Sequence, residues 1–113
     1  MSVVPLQEEQ QGTMPVLESK IEQEFVDLCR AHSIVTLKLN LQGNRGWPDR
    51  VVLLPKRNVL FIEFKRDSEE PRPLQKYRHQ LLESLGFYGL VTNDAKYAFN
   101  WVLKKMKEFD QNG

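Results

Sequence analysis

The chain has 113 residues, 41% hydrophobic and 27% charged, with a formal net charge of +1. That length suits one domain, and that composition excludes wholesale disorder. No apolar run approaches the ~20 residues of a membrane span, and the single cysteine, Cys29, excludes an internal disulfide framework and any multi-cysteine zinc site. Met1-Ser2-Val3-Val4-Pro5 lacks the basic start and apolar core of a signal peptide, so cytosol-like conditions are the expectation. The charge is unevenly spread. Residues 1–29 hold one basic side chain against six acidic ones, and residues 30–66 hold eight against two. The basic stretch suits either a polyanion partner or a solvated surface of mixed charge. Its only acids are Asp49 and Glu63.

Residues 1–16 are rich in Gln, Glu, Pro and Gly without periodicity and are expected to be a disordered tail, followed by a single domain over 17–113. From Leu17 the apolar residues Leu17, Ile21, Phe25 and Leu28 recur at helical steps, a face that includes Cys29, read as a small core residue. This helix fades near His32, a residue given no role. Ile34 to Leu41 alternates and predicts a strand; Gln42 to Gly46 predicts a turn. Strands follow over Arg50–Leu54 and Val59–Lys65, joined by Pro55-Lys56-Arg57-Asn58. The nearly unbroken apolar run of the latter suits a strand covered on both faces. Pro73 opens a helix with an apolar face of Leu74, Tyr77, Leu81, Leu82 and Leu85, and Gly86 suits its exit. Phe87–Thr92 predicts a strand. Asn93-Asp94 starts a last helix, whose Trp101, Met106 and Phe109 either supply an interface or close the core. The order α-β-β-β-α-β-α predicts an α/β fold with one mixed sheet flanked by helices.

Glu63 and Lys65 stand two residues apart in the most apolar strand, so both point to one face while Ile62 and Phe64 point to the other. Buried charges need partners. One reading ends the strand in solvent and pairs the two with each other. The other brings in Asp49, which follows Pro48 and directly precedes the preceding strand. Hairpin pairing of the two strands places Asp49 beside Glu63 and Lys65. Two carboxylates and a lysine at one end of a sheet suit a hard divalent cation such as Mg²⁺ or Mn²⁺ and the hydrolysis of a phosphodiester.

Asp49 after a proline, followed by Glu63-Phe64-Lys65, resembles the PD-(D/E)XK nuclease superfamily. Gly46-Trp47-Pro48-Asp49-Arg50, Phe61-Ile62-Glu63-Phe64-Lys65, Pro71-Arg72-Pro73-Leu74-Gln75 and Leu85-Gly86-Phe87 together resemble its VRR-NUC branch over most of the chain. The resemblance implies a restriction-endonuclease-like core. It implies that Asp49, Glu63 and the backbone carbonyl of Phe64 hold the metal, that Lys65 is catalytic, and that Gln75 helps position the site. It also implies a glutamate on the first helix, for which Glu22 fits best, with metal contact through water, and Glu18 is the reserve. Lys38 matches a basic residue of the family's first strand, and it either contacts phosphate or is an exposed strand residue.

Arg45, Arg50, Arg72, Lys76 and Arg78 are candidates for a DNA track. Trp47 either stacks on a base or packs in its loop, and His79, one turn after Gln75, borders the site. The implied activity is a Mg²⁺-dependent, structure-specific DNA endonuclease in the cytoplasm of a bacterial or phage-infected cell. Its implied substrates are branched or flapped DNA, and standalone members look like homodimers that cut Holliday junctions. The alternatives are a non-catalytic DNA-binding module, a duplex cutter, and a subunit of a larger nuclease–helicase assembly.

Overall fold

The structure, a computed structural model, describes residues 2–3 (by backbone alone), 17–40, 43 and 45–112. Its elements are β1 (Ser2–Val3), α1 (Glu18–Ala31), β2 (Val35–Lys38), β3 (Arg50–Leu54), β4 (Asn58–Phe64), α2 (Pro73–Ser84), β5 (Tyr88–Thr92) and α3 (Ala95–Asn112). After β1 this is the expected α-β-β-β-α-β-α order. Five strands form one mixed sheet in the order β1-β5-β4-β3-β2. β2, β3 and β4 pair antiparallel, whereas β4–β5 and β5–β1 are parallel.

The expected tail over residues 1–16 differs at Ser2–Val3, whose backbone pairs with Leu90 and Val91 of β5. Parallel pairing of two residues uses only backbone N–H and C=O groups, which no side-chain pattern announces. Met1 and residues 4–16 lie outside the described residues, as do Leu41, Gln42 and Asn44 of the expected strand end and turn. No described helix is long and apolar enough to cross a membrane.

Strand alternation divides the sheet into two unlike faces. Val52, Leu54, Leu60, Ile62, Phe64 and Leu90 face α1 and α3 and form the core with Ile21, Phe25, Val26, Cys29, Ala98, Phe99, Trp101 and Val102. Phe25 and Phe64 meet with ring centroids 5.3 Å apart. Met106 and Phe109 pack against this core, so the last helix closes it. The other face carries Val51, Leu53, Phe61, Glu63 and Val91, as the cross-strand register requires.

α2 packs on β5 from that second side. Here the expected helix face is corrected. Leu74, Tyr77 and Leu85 are exposed, and the buried residues of α2 are His79 and Leu82. The turn of α2 that meets the sheet is polar at Gln75 and His79 because it meets Glu63, not an apolar side chain. β2, at the sheet edge, keeps Val35 and Leu37 exposed beside Leu53.

Gly46 ties the loop before Asp49 to α2. Its φ of +87° is left-handed, and a Cβ there would lie 2.6 Å from Leu74 Cγ and 3.1 Å from the Leu74 backbone. Gly46→Ala is expected to lower unfolding stability by ~1–3 kcal/mol in urea denaturation, from the left-handed backbone and the clash. Wild-type stability in that variant would show that the loop has room.

Candidate active site

Asp49 sits one residue before β3, which pairs with β4 so that Arg50 opposes Ile62. Its Oδ2 accepts a 2.7 Å hydrogen bond from the Phe64 backbone N–H. That contact fixes the carboxylate at the end of β4, where Glu63 and Lys65 stand. Glu63 and Lys65 are 2% and 6% exposed, and Lys65 Nζ lies 3.4 Å from Glu63 Oε2. The reading that leaves Lys65 in solvent therefore fails, although its pairing with Glu63 holds. The same Oε2 accepts a 2.6 Å hydrogen bond from Gln75 Nε2. Gln75 Oε1 accepts from the Arg72 backbone N–H at the start of α2, 2.8 Å away, so both ends of the amide are engaged. Asp49, Glu63, Lys65 and Gln75 line one open cleft with Glu18, Arg66, Glu69 and Arg72.

The two glutamates of α1 part company. Glu22 is buried on the core side of the sheet. Lys38 Nζ donates to both its oxygens at 2.8 and 2.9 Å, and Arg50 Nε donates to Oε2 at 2.6 Å. Glu22 is near enough to raise the proton affinity of Asp49, but it does not line the cleft. The cause is sheet alternation: Lys38, Arg50 and Ile62 share a face, and Glu63 is on the other. Glu18, one turn earlier, reaches the sheet end and lines the cleft.

The remaining basic candidates divide similarly. Arg72 and Lys76 are exposed, and Arg72 lines the cleft. Arg50 is held by Glu22, and Lys38 shares that ion pair with its side chain half exposed. Arg78 lies over the Trp47 ring, 4.6 Å from its centroid, and its Nε donates to the Arg45 carbonyl at 3.2 Å. Trp47 thus packs in its loop against Arg78. Arg66 and Glu69 of the cleft were not singled out by pattern; their signal was the charged loop that follows Lys65. His32 meets Phe99 at the end of α1.

The cleft is short of positive charge. Burial, then the negative charge of Glu63, raises Asp49 from 3.8 to about 6, against the opposing hydrogen bond from the Phe64 backbone N–H. Burial and a hydrogen bond with Glu69 raise Glu18 to about 7. Among the described residues no three His, Cys, Asp or Glu side chains form a ready-made metal cage. The donor set is two hard carboxylates in an open, under-neutralised cleft. It fits a cation that keeps much of its water, as Mg²⁺ does.

The sign of the Asp49 shift gives a test without metal. The fold binds the Asp49 proton more tightly than the unfolded chain, so stability is full below pH 4 and falls as pH rises through about 6. Asp49→Asn keeps an oxygen acceptor for the Phe64 N–H. It is expected to stabilise the metal-free protein by ~1–3 kcal/mol at pH 8, with no gain at pH 4. Denaturation curves at the two pH values measure this; no gain at pH 8 would refute the strained carboxylate.

No family model matches the chain. It is 36% identical over 76 residues to a protein of Acyrthosiphon pisum secondary endosymbiont phage 1 named "Putative nuclease p44", spanning 67% of this chain and 82% of that one. A solved structure of a VRR_NUC domain matches with a TM-score of 0.67 and 26% identity, over 75% of this chain and 92% of the other. With the Pro48-Asp49 and Glu63-Phe64-Lys65 segments meeting at one sheet end, the chain belongs to the VRR-NUC family of nucleases.

Proposed function

We propose that this chain is a metal-dependent, structure-specific DNA endonuclease, with residues 17–113 as its single domain. Mg²⁺ is its working ion, and Mn²⁺ can substitute. Branched or flapped DNA is its substrate, in the cytoplasm of a bacterial or phage-infected cell. The observation that carries the reading is the meeting of Asp49, Glu63 and Lys65 in a cleft rimmed by Arg66 and Arg72.

Asp49, Glu63 and the Phe64 carbonyl hold the ion, which when bound supplies charge neutralisation and a lowered water pKa. Gln75 and Lys65 fix the Glu63 carboxylate. Lys65 orients the attacking water and stabilises charge growing on the phosphate. Arg66, Arg72 and Lys76 bind backbone phosphates. The α1 glutamate of the site is Glu18, because the oxygens of Glu22 are already held by Lys38 and Arg50.

The homodimeric, Holliday-junction-cutting form is part of the same proposal. One chain offers one such cleft, and paired cuts need two at fixed separation. The exposed Val35, Leu37 and Leu53 give a second copy an apolar surface to cover.

Labelled four-way junction, flap and duplex DNA, with Mg²⁺, Mn²⁺ or EDTA, test this directly. Metal-dependent cutting of the junction is expected, and Lys65→Ala is expected to lower it by ~100-fold or more while still binding DNA. Full cleavage by that variant would refute the site, and light scattering at the monomer mass would refute the dimer. Glu18→Ala is expected to fold normally and lose cleavage. Glu22→Gln is expected to lose ~1–3 kcal/mol of stability instead, from its broken ion pairs. A stable, inactive Glu22→Gln beside an active Glu18→Ala would reverse the assignment.

A further inference from the structure

His79 is 2% exposed, on the same face of α2 as Gln75 and one turn further along. Among the described residues neither of its ring nitrogens has a hydrogen-bond partner, and the same is true of Glu63 Oε1. These orphans face each other, with Nε2 3.7 Å from Oε1. Leaving a donor and an acceptor unpaired in a protein interior is costly. A leucine at this position of α2 would carry no unpaired ring nitrogen. The other oxygen of Glu63, Oε2, is turned toward the cleft residues Lys65 and Gln75.

We propose that His79 is a positioning residue. A small approach of its ring lets the Nε2–H donate to Oε1, so that Glu63 is gripped from behind by His79 and from the side by Gln75 while Oε2 faces the cleft. Outer partners of this kind set the orientation and basicity of a metal-binding carboxylate. The proposal rests on the metal-binding reading of Asp49 and Glu63, and it needs only a ring that carries hydrogen on Nε2. His79 touches neither substrate nor ion.

The test uses the full chain, Mn²⁺ alone as probe, and no DNA. Calorimetry or Mn²⁺ electron paramagnetic resonance gives the affinity of the wild type, His79→Leu, His79→Gln and His79→Asn; thermal melting without metal gives their stability. Glutamine places an N–H donor where Nε2 stands, and the shorter asparagine does not. His79→Leu is expected to fold and to melt cooperatively, yet to bind Mn²⁺ about 10–100-fold more weakly. His79→Gln is expected to restore most of that loss and His79→Asn little. Wild-type Mn²⁺ affinity in a folded His79→Leu overturns the proposal and leaves the cleft reading intact. Should the leucine variant fail to fold, equal affinities for the glutamine and asparagine variants overturn it. A wild-type chain that binds no Mn²⁺ overturns the cleft reading, and the proposal with it.

Discussion

The hydrogen bond from the Phe64 backbone N–H to Asp49 Oδ2 joins the start of β3 to the end of β4. It exists only in one register, the one in which Arg50 opposes Ile62. Side chains alternate along a strand, so a slip of one residue would turn Glu63 into the core and Ile62 out of it. The core therefore selects the register that builds the cleft. Val52, Leu60, Ile62 and Phe64 hold β3 and β4 in step beneath α1 and α3, and Glu63 is left on the opposite face.

A buried carboxylate on that face dictates what can cover it. α2 presents Gln75 and His79 to Glu63, with Leu82 buried one turn further on and Leu74 and Tyr77 turned outward. The helix is fastened at both flanks. Gly46 lets the loop before Asp49 lie against Leu74, and Arg78 spans from the Trp47 ring to the Arg45 carbonyl. Loop, sheet end and helix are thereby tied together, with Asp49 held at the end of β4 and Gln75 held on Glu63.

This explains which features were legible in sequence. β3 was readable to its exact ends, and β4 to within one residue at each end, because their patterns answer to the core alone. The meeting of Asp49 with Glu63 and Lys65 followed from the short connection between those strands and from period-two alternation. The face of α2 was legible only in part: Leu82 is buried as its spacing suggests, but where the helix covers Glu63 the usual apolar-in rule inverts, and only the position of Glu63 in space reveals it. Glu22 and Glu18 lie on one helix stripe, and periodicity cannot separate them. The discriminating fact is tertiary, namely that Lys38 and Arg50 stand on the same sheet face as Glu22.

The two carboxylate clusters of this sheet differ in how their charge is met. On the core side, Glu22 meets two cations at 2.9 Å or less, and its charge is satisfied within the fold. On the other side, the Lys65 ammonium offsets Glu63 and Glu18, and the charge that opposes the burial of Asp49 is that of Lys38. Burial and mutual repulsion raise Asp49 to about 6, burial and Glu69 raise Glu18 to about 7, and among the described residues Glu63 keeps one oxygen without a hydrogen-bond partner. Both clusters use the same residue types, a turn of helix apart. The first is electrostatically closed and adds stability. The second is held open by the packing of β3, β4 and α2 and lowers the stability of the metal-free fold above pH 6. Burial and repulsion leave a deficit of positive charge there, which is the condition that the proposed cation would relieve on binding.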